Sequence, residues 1–205
     1  MTNDAVDRPH LLENECDLMH QEMSAAASYL EFGAGGSTVF ATQIGIPRIV
    51  SVDSDPAWIG KIGAQIDSAR NSQVDLLLCD LGRTGEWGMP LDRDRMTDWP
   101  DYFVRPWEKF LSRKEIPDLI YVDGRFRVAC ALYSMLVSHL SKHAPADKRP
   151  RIMIHDFSDR SHYRIVLDFA SVVASANTLI VLKQNADISP HRLVCELLSF
   201  QFDPR

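Results

Sequence analysis

The chain has 205 residues, of which 45% are hydrophobic and 24% are charged, as is ordinary for one globular domain. Its formal net charge of −6 argues against a nucleic-acid-binding surface, because such surfaces usually need a clustered basic excess. The apolar runs fall short of a membrane span, and the N-terminus is polar and acidic rather than signal-like. We therefore expect a cytoplasmic protein that acts on a small molecule.

Four cysteines lie far apart in apolar contexts, at positions 16, 79, 130 and 195. They form no C-x-x-C pair, so neither a disulfide framework nor a zinc site is indicated. We expect reduced, buried thiols.

Hydrophobic spacing predicts alternating helices and strands along the chain. In chain order these are a helix over 11–23, strand 29–32, helix 37–44, strand 48–52, helix 56–70, strand 74–79, helix 100–113, strand 117–122, helix 128–140, strand 151–154, helix 163–169, a hairpin of strands 171–174 and 178–183, and a helix or edge segment over 193–200. Residues 82–100 show no sustained period and predict a long loop, either a lid or binding surface or a surface insertion. The aromatic residues of helix 100–113 are typical of core packing.

A glycine turn follows the first strand, and a carboxylate ends the second. Gly33, Gly35 and Gly36 let the backbone approach a ligand, and Asp53 could grip the two hydroxyls of a ribose. This pattern favours a nucleoside-cofactor pocket. The alternative is that the glycines only make a tight turn and that Asp53 caps the next helix. Thr38 stands where the dinucleotide fingerprint has its third glycine, which disfavours a pyrophosphate site.

The segment Glu31-Phe-Gly33-Ala-Gly35 resembles motif I of the class I S-adenosylmethionine-dependent methyltransferases, Glu-x-Gly-x-Gly, and the resemblance spans residues 28–184. Ser37 replaces the third glycine of that motif. The resemblance implies an α/β, Rossmann-like methyltransferase fold, with a seven-stranded mostly parallel sheet, an antiparallel hairpin and helices on both faces. We expect one domain over 1–205, divided into an N-terminal helical segment (1–27), a core (28–184) and a C-terminal appendage (185–205).

Polar groups end five consecutive predicted strands, and the carboxyl ends of parallel strands meet at one edge of a sheet, where ligands bind. These groups are Glu31, Asp53, Asp80, Asp123 and the pair His155-Asp156. The resemblance implies that Glu31, Gly33 and Gly35 hold the methionine part of S-adenosylmethionine, that Asp53 binds the ribose and that Asp80 binds the adenine amino group. Trp58 is close in sequence, but on a helix we expect it in the core.

Asp123, His155 and Asp156 are the candidate catalytic groups, because a base near a hydroxyl or amine acceptor would assist methyl transfer. The alternative for His155 is a strand-end residue with a satisfied ring. Catechol-type O-methyltransferases hold magnesium with an aspartate after the fourth strand and an Asp-Asn pair after the fifth. Phe157 stands here in place of that asparagine, so we expect no metal.

Three arginines lie near the same edge: Arg125, Arg127 and Arg160. They either bind a carboxylate or phosphate of the substrate or form structural salt bridges with nearby aspartates. Together the patterns favour methyl transfer from S-adenosylmethionine to a small metabolite, with an anionic one as an option. The alternatives are a non-catalytic methyltransferase-like binding module and, less favoured, an NAD(P)-dependent oxidoreductase.

Overall fold

The computed structural model describes residues 8–66, 71–143 and 145–205. The strands are β1 Ser28–Phe32, β2 Arg48–Asp53, β3 Gln73–Leu78, β4 Leu119–Val122, β5 Arg151–Ile154, β6 Ala170–Ala176 and β7 Leu179–Gln184. The α-helices are α1 Glu13–Ser24, α2 Gly36–Ile44, α3 Pro56–Gln65, α4 Asp101–Leu111, α5 Arg127–Leu140 and α6 Pro190–Phe200. Short 3₁₀ segments cover Glu86–Gly88, Met96–Asp98, Ala146–Lys148 and Ser161–Asp168.

The seven strands form one sheet in the order β3-β2-β1-β4-β5-β7-β6. Strands β1 to β5 pair in parallel, whereas β7 runs antiparallel to both β5 and β6. The predicted mostly parallel sheet with an antiparallel hairpin is therefore confirmed. The chain reverses its direction of winding between β1 and β4, and in open α/β sheets this point is where ligands bind.

Alternate residues of the strands enter two separate cores, because successive side chains of a strand point to opposite faces. On β1, Leu30 and Phe32 join a large core with residues of α4, α5 and α6, while Tyr29 joins a smaller core with residues of α1 and α2. The prediction of helices on both faces is confirmed.

Helix α4 contributes its aromatic residues to the larger core. Tyr102, Phe103, Trp107 and Phe110 are all buried, so the prediction of core packing is confirmed. Trp107 is fully buried and its indole Nε1 donates a hydrogen bond to the Ser134 hydroxyl of α5 at 3.1 Å. That bond satisfies a polar atom that would otherwise destabilise the core.

Several element boundaries differ from the prediction. The described part of α3 ends at Gln65, and residues 67–70 of the predicted helix lie outside the described residues. For the segment 193–200, predicted as a helix or an edge segment, the helix is confirmed, and it begins earlier, at Pro190. The long loop is confirmed, and it contains two short 3₁₀ segments and a bridge between Thr84 and Pro90.

The prediction of buried thiols is only partly right. Cys79 and Cys130 are buried and Cys16 is half-buried, but Cys195 is exposed. Cys195 lies on α6, where Leu193 and Leu197 face the core, so an apolar sequence context did not mean burial. All four thiols are free.

Among the described residues, no helix is both long and apolar enough to cross a membrane. The division into a helical segment, a core and an appendage stays a prediction. Residues of α1 and α6 nevertheless enter the two cores of the sheet: Met19 and Met23 of α1, and Leu193 and Leu197 of α6.

Candidate functional site

The carboxyl ends of β1 and β4 meet through a contact between two glycine loops. Gly33 has a φ of 103°, and its N–H and that of Ala34 both donate to the Val52 carbonyl, at 2.9 and 3.0 Å. A Cβ at residue 33 would lie 2.6 Å from the nitrogen of Gly124, and a Cβ at residue 124 would collide with the Tyr102 hydroxyl. The two loops can lie this close only because neither residue has a side chain.

The other two glycines of the turn have different surroundings. A Cβ at Gly35 would meet only the Ser37 hydroxyl oxygen, at 3.9 Å, so the space beside this residue is open. A Cβ at Gly36 would collide with the backbone of Arg8, because the segment before α1 crosses the start of α2. From the sequence we expected a ligand to approach all three glycines closely. At Gly36 the close contact is instead made by the backbone of Arg8.

Glu31 lies beneath the turn and is fully buried. Its carboxylate accepts hydrogen bonds from the hydroxyls of Ser37, Thr38 and Ser51, the last at 2.5 Å. Thr38 Oγ1 also accepts the N–H of Gly35 at 3.0 Å. Burial raises the pKa of Glu31 to about 7, against the lowering effect of these hydrogen bonds.

Asp53 ends β2 with one oxygen engaged and one open. Oδ1 accepts the N–H groups of Ser54 and Asp55 at 2.6 and 3.1 Å, whereas Oδ2 receives no hydrogen bond from any residue that the structure describes. Asp55, not Asp53, caps α3, accepting the N–H of Ala57 at 2.8 Å. The helix-cap alternative for Asp53 is therefore wrong. Burial raises the pKa of Asp53 to about 6.

Trp58 lies beside the glycine turn, so the expectation of a core position is wrong. It is half-buried, and its Nε1 donates to the carbonyl of Ala34 at 2.6 Å. The Asp55 side chain caps α3 by accepting the N–H group of Trp58, and it thereby fixes the start of the helix that carries Trp58. The proximity of Trp58 to the Asp-Pro helix start is the signal that could have placed it here.

Asp80 and the long loop border the same edge. Asp80 Oδ1 accepts the N–H of Gly82 at 2.9 Å, and Oδ2 lies 3.4 Å from Nη2 of Arg95. A Cβ at Gly88 would lie 2.8 Å from the Ser54 hydroxyl oxygen, so the loop returns to the end of β2. Trp99 is buried and donates to the Leu81 carbonyl at 3.1 Å, which anchors the loop.

His155 occupies the other side of the edge, between carboxylates. Its Nδ1 lies 3.1 Å from Asp123 Oδ1 and 3.6 Å from Asp156 Oδ1, while its Nε2 lies 3.6 Å from Glu15 Oε2. Glu15 belongs to α1, is buried, and was missed by the sequence analysis. Its second oxygen accepts the N–H and the hydroxyl of Thr178 at 2.9 and 2.8 Å.

Arg127 binds both aspartates of this cluster. Its guanidinium lies 3.2 Å from Asp123 Oδ1 and 3.1 Å from Asp156 Oδ2, and it also donates to the carbonyls of Gly124 and His155. Arg160 lies 3.4 Å from Asp156 Oδ2. For Arg127 and Arg160 the salt-bridge alternative is thus confirmed.

These charges set the protonation of the cluster. Burial lowers the pKa of His155, but the hydrogen bond to Asp123 and the charges of Asp123, Asp156 and Glu15 outweigh it, so the net pKa is raised. Burial raises the pKa of Asp156, yet Arg127, His155 and Arg160 lower it below its usual range. A protonated His155 is thus favoured between ionised carboxylates.

The same three residues have the spacing of a metal site. One ligand atom each of Asp123, His155 and Asp156 lies within 4.8 Å of the others. Arg127 already places its positive charge between the two carboxylates, and so supplies the charge neutralisation that a bound metal ion would provide. The expectation of no metal stays a prediction.

This strand order, with β7 antiparallel and helices on both faces, defines a methyltransferase-like α/β fold. The crystal structure of a methyltransferase-like protein from Silicibacter pomeroyi is similar, with a TM-score of 0.78 and 29% sequence identity. The match covers 96% of this chain and 99% of that one. No family model and no curated protein matches the chain.

The buried carboxylate predicts a pH-dependent stability. Since the folded-state pKa of Glu31 lies above its ordinary value, its ionisation opposes folding, and stability is lost as the pH rises through about 7. From about pH 5.5 to about pH 8.5 we expect Glu31 to account for a fall of about 2 kcal/mol in the free energy of unfolding. Urea unfolding of wild type and Glu31→Gln measures this, and an equal pH dependence in both would contradict it.

The glycine contacts predict unequal effects of alanine. Gly33→Ala should lower the free energy of unfolding by about 2 kcal/mol, because positive φ and the contact with Gly124 both oppose a side chain. Gly35→Ala should change it by less than about 0.5 kcal/mol, because the site is open. Chemical denaturation compares the two variants. Similar losses would show that the contact with Gly124 does not restrict residue 33.

Proposed function

We propose that this chain is an S-adenosylmethionine-dependent methyltransferase that acts on a small molecule. The observation that carries the proposal is the backbone contact between Gly33 and Gly124, which joins the glycine turn of β1 to the Asp123 loop of β4. Methyl transfer needs donor and acceptor in line and close together, and these two loops are adjacent. The methyltransferase-like fold supports the same class of function.

The residues at the β1–β2 edge fit the cofactor. Asp53 offers the open Oδ2 to a ribose diol, which a carboxylate binds with two charge-assisted hydrogen bonds. Gly35 leaves room for the cofactor to approach the backbone closely. Glu31 lies beneath the turn and, by accepting hydrogen bonds from Ser37 and Thr38, holds the loop that would bind the methionine part of the cofactor. Asp80 is the residue that we assign to the adenine amino group. Trp58, beside the glycine turn, would be a further neighbour of the bound cofactor.

When bound, S-adenosylmethionine supplies a methyl group that its sulfonium has already activated. The chain then has to orient the acceptor, exclude water and accept a proton. In the proposed site His155 accepts that proton, Asp123 orients its ring through Nδ1, and Asp156 is held by Arg127 beside them. Because the pKa of His155 is raised, this step requires a pH above the ordinary imidazole range.

One observation favours the non-catalytic alternative. Both ring nitrogens of His155 face carboxylates, and Arg127 engages both aspartates, so the cluster could serve stability alone. In that case Asp123 and His155 would matter for folding and not for turnover.

The oxidoreductase alternative has less support. Its pyrophosphate would need free N–H groups in the glycine turn, but the N–H of Gly35 donates to Thr38 Oγ1. We also propose that the protein works in the cytoplasm, which its free thiols favour.

Asp53 predicts the strength and pH dependence of cofactor binding. Asp53→Asn should weaken S-adenosylhomocysteine binding at least about tenfold, because the charge-assisted bonds to the ribose are lost. In wild type, affinity should fall about tenfold from neutral pH to about pH 5, since Asp53 takes up a proton near pH 6. Calorimetric titration measures both effects.

Asp94→Asn is the matched control, because Asp94 is exposed on the long loop and should leave binding unchanged. Undiminished binding by Asp53→Asn would contradict the ribose assignment. No binding of S-adenosylhomocysteine by wild type, with binding of NADH, would overturn the methyltransferase proposal in favour of the oxidoreductase.

The carboxylates around His155 predict its titration. Its pKa should exceed about 6.5 in wild type and should fall in Asp123→Asn, because the hydrogen bond and the charge that raise it are removed. Stability from this group should therefore be present below about pH 6.5 and be lost as the pH rises through the raised pKa.

Nuclear magnetic resonance of the imidazole protons follows this titration directly. The exposed His10 and His143 serve as internal controls whose signals should not respond to the substitution. An unchanged His155 titration in Asp123→Asn would show that Asp123 does not set its protonation.

A further inference from the structure

Arg125 is a buried arginine whose side chain has no hydrogen-bond or ion-pair partner among the described residues. The side chain follows the Asp123-Gly124 turn, is 9% exposed, and its Nε is fully enclosed without a hydrogen bond. Among the described residues its guanidinium has no hydrogen bond and no ion pair, whereas Arg127 and Arg160 both bind aspartates. Asp53 is near enough for Arg125 to lower its pKa, yet the two groups form no ion pair.

Tyr163 presents a second unpartnered group in the same region. It is 1% exposed, and its hydroxyl is buried without a hydrogen bond from any described residue. The guanidinium of Arg160 lies 5.8 Å from the centre of its ring, and its N–H donates to the Arg160 carbonyl at 3.0 Å. Arg160, which lies over this ring, also binds Asp156, and Asp156 binds Arg127, whose Nε donates to the carbonyl of Gly124, the residue before Arg125. Tyr163 and Arg125 therefore border the same cluster of charges.

Two unsatisfied buried donors are costly unless a ligand completes them. A buried polar group without a partner costs roughly 1–3 kcal/mol, and a charged group costs more. Arg127 and Arg160 already neutralise Asp123 and Asp156, and His155 faces Glu15. Of the three arginines 125, 127 and 160, Arg125 is thus the buried one that has no salt bridge to a described residue. A single negative charge would balance it.

We propose that Arg125 and Tyr163 form a subsite for a carboxylate, which the guanidinium holds through parallel hydrogen bonds and the phenol through a third. This inference rests on the proposed function, because it places the carboxylate beside Asp123 and His155. The carboxylate comes either from the methyl acceptor or from the aminoacyl group of the cofactor. Both sources offer the same planar, singly charged group.

The first test observes the unpartnered atom itself. In ¹⁵N spectra of the wild-type protein, the Nε–H signal of Arg125 should shift when benzoate or S-adenosylhomocysteine is added. Arg125→Lys identifies the signal by its loss. If neither ligand moves it, the subsite is overturned, and this result needs no variant that folds poorly.

The second test separates the two sources by calorimetry. If the cofactor supplies the carboxylate, Arg125→Gln should weaken S-adenosylhomocysteine binding at least tenfold but leave 5′-methylthioadenosine, which has no carboxylate, unchanged. If the acceptor supplies it, S-adenosylhomocysteine binding should be unaffected. Benzoate should then bind to the wild-type protein in complex with S-adenosylhomocysteine. It should bind at least tenfold more weakly to the same complex of Arg125→Gln.

Tyr163→Phe should show the same pattern with a smaller loss, of about threefold to tenfold, because one neutral hydrogen bond is removed. Arg164→Gln is the matched control, since Arg164 is exposed on the same 3₁₀ segment. Equal binding of every ligand by folded Arg125→Gln and wild type would overturn the inference. Failure of wild type to bind either nucleoside would overturn the proposed function. The shift of the Arg125 Nε–H signal on addition of benzoate alone would still decide whether the carboxylate subsite exists.

Discussion

The contact between Gly33 and Gly124 is the constraint on which the rest of the edge depends. Strands β1 and β4 are neighbours in the sheet, but their following loops lead to helices on opposite faces, so a crevice must open between them. With no Cβ on either side, the loops touch at the floor of that crevice. The proposed donor side and acceptor side are therefore held adjacent by backbone geometry, at two positions that must both be glycine.

The buried carboxylate of Glu31 explains where the chain departs from the methyltransferase motif. The motif that the chain resembles has a third glycine where Ser37 stands, and this serine turns its hydroxyl inward to Glu31. Thr38 does the same and uses its oxygen a second time to accept the N–H of Gly35. The two hydroxyls thus satisfy a charge that burial would otherwise make costly, and in doing so they fix the start of α2.

The sequence predicted the elements well because strand burial and helix spacing are local properties. The five parallel strands and their polar ends follow from runs of apolar residues that stop at an acid or a glycine, as at Val122 and Asp123. The sequence patterns could not predict contacts between segments that are distant along the chain. Glu15 bonds to Thr178, and Arg8 crosses Gly36, only because the fold brings α1 and its preceding segment back over the sheet. No spacing rule records such a pairing.

Helix α1 belongs to the candidate site for the same reason. Its Glu15 bonds to Thr178, the residue directly before β7, through one oxygen, and faces His155 through the other, so one buried side chain ties the helix, the hairpin and the end of β5 together. Burial raises the pKa of Glu15, but the hydrogen bonds from Leu12 and Thr178 and the charge of His155 bring it below the usual range. An ionised Glu15 in turn favours protonated His155. The docking of α1 therefore adjusts the proton affinity of the proposed base from the side opposite Asp123, and the region before β1 contributes to the chemistry of the edge as well as covering the sheet.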